Sequence, residues 1–270
     1  MKSIIDICQK YCLYEIKDFV QDVSLYIDIN GKKVQKEMIN LIKKNNYGFN
    51  TVSLRVPEDR DTFINTTEEE FDDAYSSIPN EWPYPHIGRN DKTQLEYTKS
   101  HPDFKGSYTE SIIRRIEKVS GLKIGKIRLA WLKPNTGYAM HYDIEPIRYH
   151  IPLITNDFSY FFHDHKLYRM SPYKIHHLVT TGEHTAWNYG FFPRLHLVFS
   201  TIVDDVNFRK NMKEMYNSDY MVSRSIKSMI DSKNIDAQTI FDLKTIDQGT
   251  LYDNNLVYKK ILELYKKNTQ

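Results

Sequence analysis

Eight of the chain's ten histidines fall between His141 and His196, and within that window His141, Asp143 and His184 have the types and order of a two-histidine, one-carboxylate iron site. Such a set leaves coordination positions open on Fe(II) for oxygen chemistry. Ten residues beyond the last of them lies Arg194, and a guanidinium can grip a carboxylate through two parallel charge-assisted hydrogen bonds. The window therefore pairs a candidate metal centre with a candidate anion clamp.

The His-x-Asp spacing alone is a weak signal, because the chain carries a second copy at His101-Pro102-Asp103. Context separates the two. His101 follows the polar stretch Tyr97-Thr98-Lys99-Ser100, which has no apolar alternation, whereas His141 follows the strand-like run Ile127-Arg128-Leu129-Ala130-Trp131-Leu132 and a turn. The His101 copy is read as the chance match.

The elements that must position the His141 window are short strands. Residues 126–132, 148–155, 159–163, 167–170, 175–180 and 194–201 suit strands, with Pro134-Asn135-Thr136-Gly137 as a turn. So many strands in so short a span predict an antiparallel sandwich or small barrel. Period-two geometry then puts Arg148 and His150 on one face of their strand, and Arg194 and His196 on one face of theirs. Two basic pairs within otherwise apolar strands need an anionic partner if those faces are buried, and a bound dicarboxylate would supply one.

Ahead of this core, 33–44 reads as a helix, 51–56 as a strand, 57–106 as long loops rich in Asp, Asn, Pro and Thr, and 110–119 as a helix closed near Gly121. All ten prolines lie between Pro57 and Pro193. In the proline-free tail, 206–216, 220–232 and 255–267 carry apolar residues at helical spacing. The expected organisation is a main domain over 1–202 with its β core at about 126–202, and a helical appendage over 203–270.

Composition sets the outer bounds. A chain of 270 residues with 40% apolar content suffices for one large domain with an appendage. A formal net charge of +2 with dispersed lysines gives no nucleic-acid track. No apolar run approaches the roughly 18 residues of a membrane span, and the start MKSIIDICQKYCLYEIKDF is broken by charge before a signal core could form. A soluble, cytoplasmic protein is expected. Cys8 and Cys12 are too few for a disulfide framework and are read as reduced and half-buried.

The runs Tyr138-Ala139-Met140-His141-Tyr142-Asp143, Arg148-Tyr149-His150-Ile151-Pro152, His184-Thr185-Ala186-Trp187-Asn188 and Arg194-Leu195-His196-Leu197-Val198 together resemble the aspartyl/asparaginyl beta-hydroxylase family of Fe(II)/2-oxoglutarate oxygenases. The resemblance covers roughly 126–200. It implies a mainly β fold: a double-stranded beta-helix, the cupin-like jelly roll, with flanking helices. It implies that His141, Asp143 and His184 bind Fe(II), that Arg194 holds the distal carboxylate of 2-oxoglutarate, and that Arg148 and His150 help bind that cosubstrate. Oxygen and 2-oxoglutarate would then be consumed to hydroxylate an amino acid, free or within a peptide or protein. Where several members carry a cosubstrate-binding hydroxyl, this chain has Ala130, so that contact is missing or moved. The loops over 57–106 are long enough to cover the open end of the barrel.

Plainer readings stand beside these. His163, His165, His176 and His177 read as hydrogen-bonded structural histidines; Trp187 and Asn188 either line the pocket or are simply buried; the acidic run at 67–73 reads as a solvated helix start. Two other functions fit a His-rich sandwich: a cupin-like metalloprotein acting as an isomerase or cosubstrate-free dioxygenase, and a non-catalytic binding module stapled by its metal. Succinate release separates the first from an oxygenase, and turnover of any kind separates the second.

Overall fold

The computed structural model describes residues 4–65, 97–134, 136–137, 147–163, 166–180, 184–188, 190–202 and 252–253. His141, Asp143, His165, the acidic run at 67–73, most of the 57–106 loops and the expected tail helices lie outside the described residues.

Helix α1 (Ile4–Gln9) precedes the two helices that the sequence marks, α2 (Gly31–Lys44) and α3 (Tyr108–Ser120). In α2 the apolar positions Val34, Met38, Leu41 and Ile42 make one buried face, and the Asn30 side chain caps the start by accepting from the Lys33 amide at 3.0 Å. In α3, Ser107 accepts from the Glu110 amide while Glu110 reaches back to the Gly106 amide, a reciprocal cap. The helix stops at Gly121, whose φ of 76° is the left-handed conformation that glycine adopts without strain. Glu37 of α2 accepts from the Thr109 amide at 2.9 Å and hydroxyl at 2.6 Å, docking the two helices together.

The strands are β1 (Val20–Asp22), β2 (Thr51–Ser53), β3 (Arg55–Val56), β4 (Ile64–Asn65), β5 (Lys99–Ser100), β6 (Lys123–Leu132), β7 (Thr136–Gly137), β8 (Arg148–Ile154), β9 (Ser159–His163), β10 (Lys166–Tyr168), β11 (His176–Leu178), β12 (His184–Asn188), β13 (Arg194–Ile202) and β14 (Tyr252–Asp253). They form a seven-stranded sheet in the order β1-β11-β8-β13-β6-β2-β4, a five-stranded sheet in the order β10-β9-β12-β7-β14, and a β3-β5 ribbon. All pairings among the described residues are antiparallel. The protein is mainly β, as expected, and the two larger sheets have the crossed order of a jelly roll.

Two expectations are corrected. The strand expected over 51–56 breaks at Leu54, because its first half pairs with β6 in the large sheet and its second half with β5 in the ribbon. Part of the turn expected at Pro134–Gly137 is itself paired: Thr136 and Gly137 form β7, between β12 and β14. The only described residues of the tail, Tyr252 and Asp253, thus close one edge of the smaller sheet.

The large sheet has unlike faces. Leu195, Leu197 and Phe199 of β13, Tyr149, Ile151 and Leu153 of β8, and Ile127 and Leu129 of β6 join the apolar faces of α2 and α3 in the main core. This packing brings the start of α2 against the backbone of Tyr173: a Cβ on Gly31 would lie 2.1 Å from the Tyr173 carbonyl oxygen. The opposite face looks toward the smaller sheet, as Leu178 packs with Phe161 and Ala186.

A buried hydrogen-bond chain lies on the helix side. His177 shares 2.8 Å with the Tyr14 hydroxyl through Nδ1 and 3.1 Å with the Asp18 carbonyl through Nε2, and Tyr14 meets Tyr149 at 2.9 Å. The carbonyl can only accept, so Nε2 carries the proton and Nδ1 accepts from Tyr14. Burial holds the imidazole neutral, pulling its pKa down to about 4. A depressed basic pKa contributes stability that is complete above the unfolded value of about 6.5 and is lost as pH falls toward 4. We expect about 3 kcal/mol of acid destabilisation from this group across that window. Urea midpoints at pH 7 and pH 4.5 check it, and His177→Phe should flatten part of the slope.

Candidate active site

The face of the large sheet turned toward the smaller one carries the basic residues. On β13, Arg194 stands opposite Leu132, His196 opposite Ala130 and Pro152, and Val198 opposite Arg128 and His150. On β8, Arg148 is opposite Leu178 and His150 opposite His176. Strand alternation thus gathers Arg128, Arg148, Arg194, His150, His176 and His196 on one face. The expected sharing of a face by Arg148 with His150, and by Arg194 with His196, is what the register gives. Among the described residues of this face the one carboxylate is Asp22, on β1 at the sheet edge.

The electrostatics follow from this crowding. Burial, followed by the Arg194, Arg148 and Arg128 guanidiniums, holds His150 well below the usual imidazole range. Burial, with Arg194 and His150, does the same to His196. The two rings meet Nδ1 to Nδ1 at 3.3 Å, so one nitrogen donates and the other accepts, and the pair has complementary tautomers. Nε2 of His196 is buried without a hydrogen-bond partner among the described residues. A carboxylate ligand would satisfy this nitrogen in the tautomer that places the proton on it.

His184 comes from the smaller sheet. It begins β12 directly opposite His163 of β9, with Ala186 opposite Phe161 and Asn188 opposite Ser159. Since Ala186 and Phe161 pack against Leu178 of the large sheet, His184 and His163 share the face that looks toward the arginines. Both are buried, at 2 % and 1 % exposure. β7 lies beside β12 and ends at Gly137, four residues before His141. Among the described residues no three His, Cys, Asp or Glu side chains gather into a metal-binding group; two of the three expected ligands lie outside that set.

The residues that are described fit an iron and keto-acid centre. His184 is a buried imidazole donor, and the facing sheet offers guanidinium and imidazole N–H groups suited to carboxylates.

Asn188 has a different task from lining a pocket. Its Nδ2 donates to the Leu132 carbonyl at 3.0 Å and the Phe192 carbonyl at 2.8 Å; its Oδ1 accepts from Asn156 at 3.0 Å, Ser159 at 3.1 Å and the Gly190 amide at 3.0 Å. It ties the end of β6 and the turn after β8 to the turn that delivers Arg194. A Cβ on Gly190 would fall 2.3 Å from Asn156 Oδ1, so glycine is needed for that close approach. Asn188→Ala leaves several buried groups unsatisfied, and we expect a loss of about 3 kcal/mol. Equilibrium urea unfolding is the check, with Asn188→Asp expected to lose at least as much, because it sets a buried carboxylate oxygen against the Leu132 and Phe192 carbonyls. Trp187, one residue away in the strand, points to the opposite face and is wholly buried.

The other histidines divide as follows. His176 bonds to the Ser171 carbonyl at 3.2 Å, and His177 is structural as described. His101 is structural too: it bonds Tyr47 at 2.8 Å and accepts from the Asp103 amide at 3.1 Å, while Asp103 engages Asn45 at 2.9 Å. Cys8 and Cys12 form no disulfide and are buried rather than half-buried. Arg128 and His163 were not expected at the site. The alternation of β6 could have shown Arg128, whereas the placement of His163 depends on a pairing between distant strands.

Comparison with known proteins gives the chain its relatives. The family model for aspartyl/asparaginyl beta-hydroxylase matches residues 33–203. No curated protein matches the chain significantly. Among solved structures, a 2OG-Fe(II) oxygenase family oxidoreductase from Burkholderia pseudomallei is similar at 13% identity and a TM-score of 0.30, over 33% of this chain and 51% of that one. The match thus spans about half the length of that protein. A prolyl hydroxylase from Trichoplax adhaerens, solved with a hypoxia inducible factor oxygen degradation domain peptide fragment, is 11% identical at a TM-score of 0.37, over 72% of this chain and 87% of that one. IDO from Bacillus thuringiensis is 10% identical at 0.37, over 75% and 96%. The family match runs through β6, β8, β12 and β13 and takes in well over half of the sequence. The chain therefore belongs to the aspartyl/asparaginyl beta-hydroxylase family, a family of 2-oxoglutarate-dependent hydroxylases.

Proposed function

We propose that this protein is an Fe(II)/2-oxoglutarate-dependent dioxygenase that hydroxylates an amino acid, free or within a peptide or protein. His141, Asp143 and His184 would hold the iron, Arg194 the distal carboxylate of 2-oxoglutarate, and Arg148 with His150 would help bind that cosubstrate. The observation that carries this reading is the basic face: Arg194, Arg148 and His150 share one side of the large sheet, and His184 looks toward them from the smaller one. The iron, with oxygen and the keto acid, supplies the oxidising power for the C–H bond.

The protein's own tasks are binding and aiming. Arg194, 5 % exposed, offers a planar fork to a carboxylate in a site shielded from water. The buried, neutral His150 and His196 pair lends one N–H donor without adding charge, since the other N–H is spent between the two rings. The buried walls of β12 and β13 keep bulk water from the reacting centre.

The oxygenase unit is assigned to 1–202 and an appendage to 203–270 that lends β14 to the edge of the smaller sheet, with a small-molecule or peptide substrate and no nucleic-acid or membrane partner. Within the described residues no helix is long and apolar enough to cross a membrane, and the two buried cysteines, which form no disulfide, suit a reducing cytoplasm. The test is succinate formation from 2-oxoglutarate, screened against free amino acids and peptides. Substrate-stimulated succinate release with a hydroxylated product supports the assignment; turnover of a substrate without succinate would overturn it.

A further inference from the structure

His163 is built into the site in a way that packing alone does not explain. Its ring is face-stacked on Phe19, with centroids 4.2 Å apart, and lies nearly parallel to His184, at 5.9 Å and 3°. Phe161 flanks both rings, 6.3 Å from His163 and 5.3 Å from His184. Yet neither ring nitrogen of His163 makes a hydrogen bond to a described residue, although the residue is 1 % exposed. The Val179 backbone approaches the ring without meeting hydrogen-bond geometry. A phenyl ring would fill the same stack with no polar atoms to desolvate, so an imidazole here is costly unless a nitrogen finds a partner when the site is loaded. Because His163 pairs directly across from His184, that nitrogen is available on the face where the cosubstrate would bind.

We propose that His163 is a positioning residue of the metal pocket, whose ring N–H donates a hydrogen bond to a carboxylate oxygen of the 2-oxoglutarate bound beside His184. The assignment rests on the proposed function. The ring suits the task because a neutral imidazole has a single N–H to give.

The test uses the full chain loaded with Co(II) in place of iron, so that no turnover is needed, and titrates 2-oxoglutarate by calorimetry. His163→Phe keeps an aromatic ring and removes both nitrogens. It should unfold at the same or a higher temperature, bind Co(II) as wild type does, and bind 2-oxoglutarate about tenfold more weakly. His163→Gln, which restores an N–H donor, should recover most of that loss. If the phenylalanine variant does not fold, His163→Leu carries the same expectation. Wild-type 2-oxoglutarate affinity in a folded variant lacking the nitrogens would overturn the role of His163 and leave the proposed activity intact. Failure of the Co(II)-loaded wild type to bind 2-oxoglutarate would overturn the activity, and this role with it.

Discussion

Replacing Arg194 by alanine should raise the 2-oxoglutarate concentration needed for half-maximal succinate formation by about a hundredfold. The guanidinium is buried at the start of β13, beside Leu132 and just after the turn tied by Asn188. A carboxylate bound there would lose its two-pronged, charge-assisted partner, an interaction worth about 3 kcal/mol when desolvated. Arg194→Lys should restore only part of the loss, because an ammonium keeps the charge and lacks the planar fork. Initial rates across a 2-oxoglutarate series measure this. Equal requirements in wild type and Arg194→Ala would move the clamp elsewhere, with Arg148 next in line.

His184→Ala should weaken Fe(II) binding by a hundredfold or more, since one of three protein ligands is removed and the metal's affinity is shared among few donors. The fold should persist: β12 is held by β9 on one side and β7 on the other through backbone hydrogen bonds that the substitution leaves in place. An anaerobic metal titration with far-ultraviolet circular dichroism in parallel reads both. One iron per chain in wild type and in the variant alike would remove His184 from the ligand set.

Much of the framework around these residues could be read in the sequence where a physical period was present. The α2 face at Val34, Met38, Leu41 and Ile42 repeats at helical spacing, and Ser107 with Glu110 and Gly121 brackets α3. The strand pairs Arg148 with His150 and Arg194 with His196 were placed correctly because alternation needs no knowledge of partners. The decoy at His101 was separable for the same reason: its surroundings lack alternation, and it proves to be tied to Tyr47 and Asp103. The strand β12 is not legible, because its five buried residues show no period and, unlike the Tyr-Phe-Phe run of β9, include only Thr185 and Trp187 of strand-favouring type. Nor could the break at Leu54 be read from its own neighbourhood, since it is set by β6 and β5, which lie far along the chain. The meeting of His163 with His184 is likewise a matter of register between distant strands.

The two unlike faces of β13 have a consequence for how this protein can change. Odd-numbered Leu195, Leu197 and Phe199 are embedded among the helices, while even-numbered Arg194 and His196 face the facing sheet's histidines. Neighbouring codons therefore answer to different demands: one set decides whether the chain survives in the cell, the other what it recognises. Variation along this strand can redirect chemistry in single steps without first passing through an unfolded intermediate. A lineage that drifts at the even positions keeps its scaffold while its chemistry diverges.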